Sequence, residues 1–94
     1  MAEKFSNEEI VRRLADLPGW QFNKSEIVRL FEFENFKKSV QFVNRIGLSA
    51  EKMNHHPDIL IQYDKVRVSL STHPEGGITQ KDFDLAFEIN GLFG

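Results

Sequence analysis

Apolar and polar residues along this chain change period several times, and each change marks an element. Ile10, Val11, Leu14 and Leu17 recur at helical spacing. Ser6 stands three residues before Glu9 in capping-box spacing, and Pro18-Gly19 stops the run, so the pattern predicts a helix over residues 7–16. Trp20 and Phe22, then Ile27, Phe31 and Phe33, keep strand parity around a turn at Asn23-Lys24-Ser25, and Arg29 interrupts that parity. Asn35 is a good N-cap for a second helix. Phe36, Val40, Val43, Gly47 and Ala50 follow three or four apart, with Ile46 alongside, out to Met53. Pro57 disfavours helical geometry at His56, so the chain must leave that helix around Asn54–His56. Ile59, Ile61 and Tyr63 then alternate with Asp58, Leu60 and Gln62, and Val66, Val68 and Leu70 alternate with Lys65, Arg67 and Ser69, around a turn centred on Asp64-Lys65. A loop over Pro74-Glu75-Gly76-Gly77 leads to Thr79, an N-cap with Asp82 three residues on, and Phe83, Ala86, Phe87 and Asn90 line one face of a last helix. The order α-β-β-α-β-β-α predicts an α+β fold: a single domain over residues 1–94, with helices packed on one face of a four-stranded antiparallel sheet.

Composition narrows the classes. A chain of 94 residues buries only about 60–65% of its unfolded surface, so assembly would help it. Nine of its aromatics are Phe, which points to a Phe-rich core or interface. Without cysteine there is no disulfide framework, thiolate metal site or cysteine nucleophile, and the cytoplasm is the natural compartment. A net charge of −2 lacks the footprint of a nucleic-acid binder. No apolar run approaches the roughly 18–20 residues that span a bilayer, and the N-terminus lacks the apolar core of a signal peptide.

All three histidines fall in the second half. If the apolar residues of the second hairpin share a face and the turn is centred on Asp64-Lys65, Tyr63 faces Val66, Ile61 faces Val68 and Ile59 faces Leu70. Extending that ladder sets Pro57 opposite Thr72 and His56 opposite His73, and cross-strand neighbours sit about 5 Å apart. His55, His56 and His73 are therefore expected to meet at the open end of the hairpin. Glu51, four residues before His55, and Asp82, in the first turn of the last helix, are the carboxylates within reach. A carboxylate beside an imidazole fixes its tautomer. Acid–base work at neutral pH suits such a set. Metal binding fits less well, because adjacent histidines point apart, unlike a pair spaced along one helix face. Taken alone, Asp82 reads as half of a capping box with Thr79, and Glu51 as a solvated residue paired with Lys52 or Arg45.

Glu51-x-x-x-His55-His56-Pro57, followed by Tyr63, His73 and Asp82 at their spacings, resembles the signature of the pterin-4a-carbinolamine dehydratases, and Gly19-Trp20 and the order of elements fit too. The resemblance covers essentially the whole chain. It implies removal of water from a 4a-hydroxytetrahydropterin, giving quinonoid dihydropterin without metal or redox cofactor. It assigns His55 and His73 as the acid–base pair, His56 and Pro57 to binding the pterin, and Glu51 and Asp82 to holding the imidazoles. It implies a homodimer or homotetramer whose partner is the small-molecule pterin, not nucleic acid or membrane. Ile59 departs from the Trp of animal members, which bears on pterin preference. The rival readings are handling of another reduced pterin, such as a molybdopterin precursor, and a non-enzymatic dimerisation module.

Overall fold

The computed structural model describes residues 3–93. Helix α1 (Asn7–Leu14) starts where Ser6 accepts a hydrogen bond from the Glu9 backbone N–H, with Glu8 and Glu9 at its positive end and Arg12 and Arg13 at its negative end. Strands β1 (Gln21–Asn23) and β2 (Glu26–Glu32) form a hairpin. Helix α2 (Phe36–Met53) begins at Asn35, whose side chain accepts from Lys38 N–H. Strands β3 (Asp58–Gln62) and β4 (Lys65–Leu70) form the second hairpin. A 3-10 turn (His73–Glu75) then leads to α3 (Gln80–Leu92). The sheet is fully antiparallel in the order β1-β2-β4-β3, because the two hairpins join through β2 and β4. The expected α+β architecture is what forms.

Alternation sorts the sheet into two faces. Ile27, Phe31, Val66, Val68 and Leu70 are buried on one, in a single cluster with Phe42, Ile46 and Ala50 of α2 and Leu85, Ala86 and Ile89 of α3. Phe31, Phe33, Phe42 and Phe93 pack in tilted and edge-on pairs with ring centroids 4.8–5.9 Å apart, so most of the Phe excess lies in this core. Leu30 and Leu60 stay exposed on the opposite face, on either side of Arg67. Among the described residues no helix is long and apolar enough to cross a membrane.

Three expectations are corrected. The second hairpin is shifted by two residues from the expected ladder: Ile61 faces Val66 and Ile59 faces Val68, so the turn is Tyr63-Asp64. Tyr63 takes φ +54 as the first turn residue and is exposed, instead of continuing the apolar face. His56 and His73 are therefore not cross-strand partners. On α3 the buried face runs through Asp82, Leu85, Ala86 and Ile89, with Phe83 beside it, while Phe87 faces water. On α2 it runs through Ser39, Phe42, Ile46 and Ala50, leaving Phe36 and Gly47 exposed.

Arg29, the apparent interruption in β2, is a bracket. Its guanidinium lies over the Phe31 ring at 4.4 Å and donates to Pro18 O at 2.9 Å and Asn90 Oδ1 at 2.7 Å. Trp20 Nε1 donates to the same Asn90 oxygen. Burial pulls the pKa of Arg29 below its ordinary value. Gly19 adopts φ +88, which favours glycine, and a Cβ there would lie 2.5 Å from Arg29 Nε and displace the guanidinium.

Candidate active site

The site is built where α2 ends, β3 begins and α3 starts. Asn54 takes the left-handed conformation at φ 50, ψ 44 and closes α2, with His55 N–H returning to Ala50 O at 3.1 Å. This close reverses the chain at the histidine pair and sends the two imidazoles to different partners. His55 turns inward and His56 stays at the surface. Pro57 follows, half-buried, and feeds β3.

His55 Nε2 lies 2.6 Å from Asp82 Oδ1. Asp82 is fully buried, yet its carboxylate is well supplied with donors. Oδ2 accepts from the Thr79 backbone N–H at 2.9 Å and from the Thr72 hydroxyl at 2.7 Å. The capping box with Thr79 is therefore present, and the same carboxylate also reaches a histidine. Structural and site readings of Asp82 hold together, because a carboxylate has acceptor sites for both.

His56 Nε2 pairs with Glu51 Oε2 at 2.5 Å. Helical spacing predicts Glu51 one turn before His55. The helix stops at Met53, so the carboxylate meets the next histidine instead. His73 opens the 3-10 turn, exposed, directly after the Thr72 that binds Asp82. Its imidazole makes no hydrogen bond among the described residues. The structure thus joins His55 to Asp82 and His56 to Glu51, and ties His73 to the first pair only through its neighbour Thr72. Among the described residues no three His, Asp or Glu side chains converge as a metal cage would require.

Sequence reasoning missed Thr72. The signal was faint: a β-branched hydroxyl two residues past β4 and next to a histidine reads as strand filler.

Where Asp82 is the acceptor at Nε2, a neutral His55 ring carries its proton on that nitrogen and leaves Nδ1 free to accept one. Nδ1 has no partner among the described residues and is not sealed from solvent. Such an imidazole can take a proton from a bound molecule and return it.

Comparison with known proteins bears on the chain as a whole. A family profile described as pterin 4 alpha carbinolamine dehydratase matches residues 3–92. A protein carrying that family name from Sulfolobus acidocaldarius is 46% identical over 95% of this chain and 98% of its own length. Another, from Picosynechococcus, is 48% identical over 98% of this chain and 100% of its own. A Brucella melitensis crystal structure, described as a transcriptional coactivator/pterin dehydratase, superposes with a TM-score of 0.93 at 34% identity, covering 98% of this chain and 100% of that one. Residue motif, fold and whole-chain similarity converge, and the chain belongs to the pterin-4a-carbinolamine dehydratase family.

Proposed function

We propose that this protein dehydrates a 4a-hydroxytetrahydropterin to quinonoid dihydropterin, recycling a pterin used by a hydroxylating enzyme. The observation that carries the reading is the His55 imidazole held 2.6 Å from the buried Asp82 carboxylate while still partly exposed.

The reaction asks for little else. The 4a-hydroxyl takes up a proton and leaves as water when the C4a–O bond breaks. The N5–H bond gives its electron pair to a new N5–C4a double bond, and a base takes the N5 proton. One proton enters and one leaves, so two imidazoles near neutrality suffice. His55 and His73 fill these roles, on either side of the ring. His56 and Pro57 contact the pterin, and Glu51 and Asp82 hold the imidazoles. Ile59 belongs to the inner face of β3, opposite Val68, so the departure from the animal Trp alters packing near the site instead of adding a polar group.

The test follows decay of a 4a-hydroxytetrahydropterin at neutral pH with and without the protein. Acceleration is expected, and its absence would overturn the reading. Each of His55→Ala and His73→Ala should lower kcat by about 100-fold, in the range of a lost acid or base. The double variant should fall to the uncatalysed rate, and full activity in it would remove the assigned roles.

Self-assembly into a homodimer or homotetramer and a cytoplasmic location complete the proposal. Phe36 and Leu48 on α2 and the free edge of β3 are among the exposed surfaces open to a second copy. Sedimentation of the purified protein as a monomer at micromolar concentration would refute the assembly.

A further inference from the structure

Behind His55 the hydroxyls of Thr72 and Thr79 form a chain whose direction can be deduced. Their oxygens lie 2.8 Å apart, and both residues are buried. Thr79 Oγ1 accepts from Lys81 N–H at 3.2 Å, and Thr72 Oγ1 lies 2.7 Å from Asp82 Oδ2. Each hydroxyl owns one proton. If Asp82 were protonated toward Thr72, Thr72 would donate to Thr79, and the Thr79 proton would face no acceptor among the described residues. In the opposite sense every proton is placed: Lys81 N–H to Thr79, Thr79 to Thr72, Thr72 to Asp82. The Thr79 backbone N–H adds another donor to the same Oδ2. Oδ2 is thereby left as a pure acceptor, with Oδ1 turned to His55.

We propose that Thr72, backed by Thr79, is a positioning residue that fixes His55 in its Nε2–H tautomer and so makes Nδ1 the atom that exchanges a proton with the substrate. The tautomer clause stands on geometry alone; the substrate clause rests on the dehydratase reading above. Chains of this kind strengthen along their length because each donor polarises the next. Replacing the middle hydroxyl removes a donor from Asp82 and lets its carboxyl hold a proton toward His55 Nε2, which moves the ring proton to Nδ1.

The test is nitrogen-15 NMR of the labelled full chain, at a pH high enough to keep His55 neutral and without ligand. Wild type should show one-bond proton coupling at Nε2 and an unprotonated Nδ1 shift. A wild-type Nδ1–H signature would overturn the proposal whatever the variants do. Thr72→Val should transfer part of the proton population to Nδ1, and Thr72→Ser should restore the wild-type pattern. A folded Thr72→Val with the wild-type pattern would also overturn it. In the dehydratase assay Thr72→Val should lower kcat about tenfold with KM little changed, as for other partners that orient an imidazole from behind, and Thr72→Ser should recover it. An inactive wild type with the expected NMR pattern would sink the dehydratase reading and leave the tautomer assignment standing.

Discussion

His55 and His56 are chain neighbours, and each is bound through Nε2 to a carboxylate at nearly the same distance, 2.6 and 2.5 Å. Their surroundings differ completely. The side chains of His55 and Asp82 are 11% and 0% exposed, those of His56 and Glu51 57% and 77%. Around the first pair water cannot compete, and Thr72 and Thr79 hold the carboxylate from behind. Around the second pair water screens the attraction, and two free side chains lose rotamer entropy to meet. Equal distances therefore describe unlike objects. One pair is part of the scaffold; the other is an adjustable contact at the rim.

Asp82→Ala should have the largest effect. It leaves Thr72, the Thr79 N–H and the His55 ring without their shared acceptor, and urea unfolding should show a loss of about 3–5 kcal/mol. Some of the loss belongs to the capping box, so Asp82→Asn should be milder. A loss below about 0.5 kcal/mol would erase the contrast.

Next come double-mutant cycles of the two pairs. His55 with Asp82 should couple by about 2 kcal/mol, and His56 with Glu51 by less than about 0.5 kcal/mol. Equal coupling energies would show that burial does not separate them. The smallest effect is expected from Glu51→Gln. Thermal melts should shift little, and any difference at low salt should fade near 1 M salt, where the screening length is about 3 Å. A salt-resistant loss would place Glu51 with the scaffold.

Local signals were legible in the sequence. Ser6, Asn35 and Thr79 each begin a helix as their spacing implies, because capping involves residues only two or three apart. The strand faces were legible because one face is buried. The register was not, because a shift of two preserves parity and parity was the argument. Tyr63 looked like a strand residue by type, yet it takes the positive-φ turn position, and only the folded turn decides that. The α3 face was misjudged for a related reason. Asp82, a charged residue, lies on the buried face because Thr72 and His55 reach it there. Half of the site was visible as a capping box. The reach of Asp82 to the histidines was legible too; that it meets His55, across 27 residues, depends on tertiary closure.

Time enters through the sheet order. The β3–β4 hairpin closes over Tyr63-Asp64 alone, and such hairpins form in about 1–10 microseconds. The join between β2 and β4 pairs Ile27 with Leu70, and long loops of that kind close late. The stretch from Glu51 to Asp82 can thus take shape early and still lack function. His55 meets Asp82 only once α3, which carries that carboxylate, packs against α2. The His55–Asp82 contact is then one of the last features the folding chain gains, and among the first it gives up when that packing opens.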